Sequence, residues 1–132
     1  MKQPPGYPVS AIPNQVCHLK KTLYGLKQSG RQWYQQLVEI MEGMGLKRCD
    51  VDQAVFYQHK ASTLIIMLIH VDDCTIIATS ITLIARFKIE ITKHVAISDL
   101  GELHWILGIE VKHIREKHTI PLSQRSYIES ML

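Results

Sequence analysis

Leu64-Ile65-Ile66-Met67-Leu68-Ile69-His70-Val71-Asp72-Asp73-Cys74-Thr75-Ile76-Ile77-Ala78-Thr79 decides how this chain folds. Two runs rich in Ile and Thr, Leu64 to His70 and Cys74 to Thr79, flank a short polar break, the pattern of a β-hairpin. Both runs are apolar almost throughout rather than alternating, which implies burial on both faces, in a sheet covered by helices. Asp72 and Asp73 fall at the break. Adjacent residues of a regular strand point to opposite faces, but at a tight turn the alternation fails and two carboxylates can share one exposed rim. Mg²⁺ takes oxygen ligands, usually one or two carboxylates completed by substrate phosphates. Two neighbouring carboxylates repel, and a divalent cation relieves that repulsion. Such a perch suits phosphoryl transfer, in which two metals hold the attacking and leaving oxygens. From these two residues alone a plainer role is favoured, because aspartate in a turn commonly accepts hydrogen bonds from nearby backbone amides.

Working outward, the spacing upstream is helical. Trp33, Leu37, Ile40, Met41 and Met44 recur at steps of three and four, which predicts one buried stripe on a helix running from Arg31. Leu23 to Gly30 reads as a loop entering that helix, with Ser29 as its N-cap, and Gly43 with Gly45 closes it. Val16 to Leu19 is a short strand candidate, as is Val55-Phe56-Tyr57. Residues 1–14 hold four of the five prolines and read as an irregular lead-in. Downstream, Ile81 to His94 is helical, with Ile84, Phe87, Ile91 and Val95 on one side. Ser98-Asp99-Leu100-Gly101 is a turn. Leu103 to Ile114 is a strand around Gly108, with Thr119 to Leu122 as its partner across Arg115-Glu116-Lys117-His118, and Gln124 to Leu132 starts a last helix. Helices mixed with mostly antiparallel strands predict an α+β fold, and no repeat or domain boundary divides residues 1–132.

The chain has 132 residues, 46% hydrophobic and 20% charged, which fits one modest folded core and argues against disorder. A net charge of +3 tolerates nucleic acid without requiring it. Cys17, Cys49 and Cys74 are widely spaced and odd in number, so reduced thiols and an intracellular location, cytoplasmic or nuclear, are expected. The N-terminus has no apolar stretch of a signal peptide, and no run approaches the ~20 apolar residues that span a bilayer. The seven histidines follow no zinc-site spacing.

Taken as a string, Ile69-His70-Val71-Asp72-Asp73-Cys74-Thr75-Ile76-Ile77-Ala78 resembles the Tyr-Val-Asp-Asp hairpin of copia-type retrotransposon reverse transcriptases. Leu23-Tyr24-Gly25-Leu26-Lys27-Gln28-Ser29-Gly30-Arg31-Gln32-Trp33 resembles that family's L-Y-G-L-K-Q-x-x-R-x-W signature. Ser98-Asp99-Leu100-Gly101-Glu102, Leu107-Gly108-Ile109-Glu110-Val111 and Leu122-Ser123-Gln124-Arg125-Ser126-Tyr127-Ile128 are similar to its D-L-G, L-G-I-E and L-S-Q-x-x-Y-I blocks, and Met1-Lys2-Gln3-Pro4-Pro5-Gly6-Tyr7 to its M-x-Q-P-P-G-F stretch. All stand in the family's order along the chain.

The resemblance implies a partial reverse-transcriptase palm in which Asp72 and Asp73 are catalytic and bind Mg²⁺ or Mn²⁺. It implies nucleic-acid contacts from Lys27, Gln28, Arg31 and His70, and a primer-gripping hairpin at Leu107 and Gly108. Its partners would be an RNA/DNA template-primer, a dNTP and the rest of a Pol polyprotein. Trp33, on the apolar stripe, reads as core more readily than as a base-stacking platform. The sequence departs from the family at three points. The family's further catalytic aspartate lies upstream of the Q-P-P-G stretch, where this chain begins. His70 stands where the family has Tyr, and the chain stops before any RNase H region. An isolated chain without polymerase activity is therefore expected, with a nucleic-acid-binding or structural transposon remnant as the alternative.

Overall fold

The stripe of Trp33, Leu37 and Met41 winds into helix α1 (Ser29–Gly43), with Leu37 and Met41 fully buried. The computed structural model describes residue 6 and residues 16–132, so the lead-in of residues 1–14 and the Met1-to-Tyr7 block otherwise lie outside the described residues. Ser29 is not the N-cap. It is the first helical residue, Gln28 precedes it as the cap, and the Ser29 hydroxyl donates to the Leu23 carbonyl at 2.6 Å, tying the entering loop to the helix. Gly43 is the last helical residue rather than a stop. Gly45 is the stop, at φ +83°, with its N–H donating to Glu42 O at 2.9 Å and the Leu46 N–H donating to Met41 O at 3.0 Å. That pair of bonds is the Schellman arrangement, which needs a left-handed residue. The predicted strand at Val16 to Leu19 reduces to a one-residue bridge at Val16, and residues 17–19 run irregularly.

Four antiparallel strands follow in spatial order: β1 (Lys47–Arg48), β2 (Val55–Lys60), β3 (Thr63–His70) and β4 (Asp73–Ala78). Cross-strand partners share a face, so the register sorts the side chains. Phe56, Met67 and Ile76 lie on one face, as do Gln58, Ile65 and Ala78, with Ile69 opposite Cys74. Phe56, Ile65, Met67 and Ile69 are buried there. Helix α1 is tied to this sheet at both ends. Trp33 bonds the turn after β3, and the Gln58 side-chain amide donates to the carbonyls of Gly45 at 2.8 Å and Met44 at 3.3 Å. The other face carries Tyr57, Ile66 and Ile77 in one row and Val55, Leu68 and Thr75 in the next, all half-buried or exposed. Burial on both faces, expected from the unbroken apolar runs, therefore holds for one face only.

The chain divides into two compact units, residues 1–79 and 80–132. The second opens with helix α2 (Ile81–Thr92), capped by the Ser80 hydroxyl, which accepts from the Leu83 N–H at 3.2 Å. Phe87 and Ile91 are its buried residues. The predicted strand from Leu103 to Ile114 is instead a hairpin of β5 (Trp105–Ile106) and β6 (Ile109–Val111). Leu107 at φ +51° and Gly108 at φ +77° form its two-residue turn, the positive pair that matches strand twist. The connection after β6 holds a short 3₁₀ turn (Arg115–Lys117), and β7 (Leu122–Ser123) pairs with β6 before helix α3 (Arg125–Met131). Among the described residues, this mixture of three α-helices with antiparallel sheets is an α+β fold. Among the described residues, no helix is long and apolar enough to cross a membrane.

Asp99 explains the turn before β5. Its carboxylate accepts from Lys88 Nζ of α2 at 2.6 Å and from the Gly101 N–H at 3.0 Å. The lysine, and then the backbone amide, hold its pKa below the ordinary carboxylate value. A depressed folded pKa contributes stability above the unfolded value, near ~3.9 for aspartate, and loses it as pH falls through the folded value. Asp99→Asn should therefore flatten the acid limb of the thermal midpoint against pH. The effect is small because the pair is open to solvent, and identical acid limbs would contradict the tether.

Candidate active site

The β3–β4 hairpin closes on the pair His70 and Asp73, leaving Val71 and Asp72 as a two-residue turn. Asp73 is thus the first residue of β4, sharing a face with His70, and Asp72 stands in the turn itself. All four residues from His70 to Asp73 are exposed. Val71 has φ +55°, a left-handed geometry that a β-branched residue adopts at a cost and that surrounding contacts must hold.

The plain role of turn aspartates can be checked against this chain's own examples. Asp52 accepts from the Ala54 N–H at 2.9 Å, and Asp99 accepts from that of Gly101 at 3.0 Å. Asp72 and Asp73 do nothing of the kind. Among the described residues neither carboxylate takes part in a hydrogen bond or ion pair. Their fields nevertheless converge on one atom. Burial pushes the Cys74 thiol above its ordinary pKa, and the Asp73 and Asp72 carboxylates push it further in the same direction. Cys74 is exposed as a residue, yet its sulfur is sheltered enough to feel both acids.

Two unpartnered carboxylates are hard oxygen donors of the kind Mg²⁺ or Mn²⁺ takes, an ion that fills its remaining positions with water and phosphate oxygens. The donor chemistry of Asp72 and Asp73 is of a kind that fits such an ion. Among the described residues, no group of three or more His, Cys, Asp or Glu gathers to hold a metal.

Trp33 is the feature that sequence reasoning left open. It is half-buried, and its indole N–H donates to the Val71 carbonyl at 3.1 Å, across 38 positions of sequence. Helical spacing marked Trp33 as inward-facing; nothing in that spacing could show which backbone group it meets.

Lys27 and Gln28 are exposed in the turn that enters α1, and Arg31 is exposed in its first turn. Of these three, Arg31 lines a shallow open cavity of about 520 Å³, with Tyr34, Gln35, Val38, Glu39 and Arg48. The acid pair is not part of that cavity. Arg48, which belongs to no motif, joins Arg31 there because β1 runs beside α1. Tyr34 fixes another wall, its hydroxyl donating to Gln53 O at 2.7 Å. Leu107 and Gly108 belong to the second unit, at the exposed tip of its hairpin.

Residues 1–132 match the family model described as Reverse transcriptase (RNA-dependent DNA polymerase). The chain is 36% identical over 133 residues to the Retrovirus-related Pol polyprotein from transposon TNT 1-94 of Nicotiana tabacum, covering 100% of the chain and 10% of that relative. It is also 36% identical over 132 residues to the corresponding polyprotein from transposon RE1 of Arabidopsis thaliana, of which it spans 9%. A yeast relative, the putative transposon Ty5-1 protein of Saccharomyces cerevisiae, is 30% identical over 128 residues, covering 97% of the chain and 41% of that protein. No solved structure matches the chain. With the family model covering every residue and Pol polyproteins aligned along the whole chain, this protein belongs to the reverse transcriptase family of copia-type retrotransposons.

Proposed function

We propose that this chain carries the acid pair and primer-facing elements of the palm of an RNA-directed DNA polymerase, acting within a Pol polyprotein. The observation that carries the reading is the pair itself. Asp72 and Asp73 are adjacent, exposed and, among the described residues, without structural partners, whereas Asp52 and Asp99 accept from backbone amides. Carboxylates held at a hairpin tip with nothing to neutralise them suit a divalent cation better than they suit the fold.

In this reading Asp72 and Asp73 hold Mg²⁺ or Mn²⁺, which would supply charge stabilisation to the phosphoryl group being transferred. Lys27 and Arg31 neutralise phosphates of the template-primer or of the dNTP. Gln28 and His70 offer polar contacts at the same surface, and the Leu107–Gly108 turn presents backbone to the primer end. His70 is smaller than the tyrosine its family carries, so it covers less of the primer terminus.

Two carboxylates are one fewer than the family's catalytic set, and residues 1–15 contain no acidic residue. Isolated, the chain should extend no primer on an RNA template with Mg²⁺ or Mn²⁺. Incorporation that Asp72→Asn abolishes would overturn that expectation. The alternative reading is a nucleic-acid-binding remnant without chemistry. Steeply salt-dependent binding of template-primer, with no cation held at the turn, would single that reading out.

A further inference from the structure

We infer that Trp33 is the positioning residue of the acid pair, its indole N–H fixing the turn that carries Asp72. The inference rests on the polymerase reading for its consequence, but its geometry stands apart from that reading. A two-residue hairpin loop leaves the carbonyl of its first residue outside the strand ladder, free to turn with the loop. Here that carbonyl belongs to Val71 and accepts from Trp33 Nε1 at 3.1 Å. The same residue sits at φ +55°, where valine is disfavoured. A turn in that geometry persists when something outside it holds it in place, and the indole is such a hold.

The brace is anchored at its other end. Trp33 stands one helical turn before Leu37 and two before Met41, on the same side of α1, and those two residues are 1% and 0% exposed. Gln58 and Tyr34 tie the helix to the strand-bearing part of the chain at further points. A rigid helix thus reaches the base of the acid turn through a single donor. No other indole in the chain is placed this way, since Trp105 is 52% exposed in β5 of the second unit. Ordering one carbonyl orders the next two residues, Asp72 and Asp73, so the two carboxylates are presented to a cation in one arrangement instead of several.

Trp33→Phe keeps an aromatic ring on the stripe and removes the donor. The test is nuclear magnetic resonance on the full chain with Mn²⁺ as the probe. In the variant, the backbone amide of Asp73, which closes the hairpin opposite His70, should lose exchange protection, while those of Ile65 to Ile69 keep theirs. Mn²⁺ broadening of the same turn resonances should then need about fivefold more metal, the cost of one lost hydrogen bond. A purely structural role would lower protection along the whole of β3 and β4, and unchanged turn protection and metal response would overturn the inference. If wild type shows no Mn²⁺ response but the variant still loosens the turn, the brace stands and the polymerase reading falls. Should the variant fail to fold, the wild-type chain decides, because a braced Trp33 indole N–H exchanges more slowly than that of Trp105, and equal rates would overturn the proposal.

Discussion

In a polymerase made by joining this chain to the flanking segments of the tobacco TNT 1-94 relative, Asp72→Asn or Asp73→Asn should lower nucleotide incorporation by about a thousandfold or more. The magnitude follows from the chemistry assigned to the pair. Charge stabilisation by a bound divalent metal is worth several kcal/mol, and each ~1.4 kcal/mol is a factor of about ten in rate. The same substitutions should leave the fold alone. Both side chains are exposed, neither takes part in a hydrogen bond or ion pair among the described residues, and surface changes of this kind usually stay within about 0.5 kcal/mol. Removing one of two adjacent like charges even relieves some repulsion. Activity lost at an unchanged thermal midpoint is therefore the signature. A fall of less than about tenfold, against an active parent, would remove these residues from the chemistry.

The largest expected effect on stability lies on the buried face of the four-stranded sheet. Phe56 is 0% exposed, and its position in β2 is paired with Met67 of β3 on one side and Arg48 of β1 on the other. Phe56→Ala should cost about 3–5 kcal/mol, the usual price of emptying so large a site. Small domains are stable by only ~5–15 kcal/mol, so the first unit should be largely unfolded or shifted far down a urea titration. The neighbouring Tyr57→Ala is the control. Tyr57 points to the opposite face and is 38% exposed, so its loss should cost well under half as much. Equal costs for the two substitutions would mean that the two faces are not distinguished as the register indicates.

The hairpin, helix α1 and the core stripe were legible because each rests on local periodicity. Ile and Thr on both sides of Val71-Asp72-Asp73 define β3 and β4, and steps of three and four define Trp33, Leu37 and Met41. Misreadings came where a local pattern has two outcomes. Leu103 to Ile114 looks like one strand because Leu107-Gly108 lacks the Asn-Gly or Asp-Gly that usually announces a tight turn. Ser29 looks like a cap, but its hydroxyl is drawn back to Leu23 and donates instead of accepting. Apolar runs in β3 and β4 implied two buried faces, yet Ile77 is 51% exposed, because hydropathy records the tendency of a side chain to be covered and not what covers it. For the candidate site, the position of the two acids at the hairpin break was readable. The indole that meets their turn was not, since it depends on residues 33 and 71 meeting across a long stretch of chain.

Mn²⁺ titration of the folded chain, followed by paramagnetic broadening of backbone amides, tests the central claim most directly. Broadening centred on Val71 to Cys74, and absent when Asp72 and Asp73 are both changed to Asn, is the predicted result. Broadening spread evenly over exposed acids such as Glu39, Asp50 and Glu129, or left intact in the double variant, would contradict it.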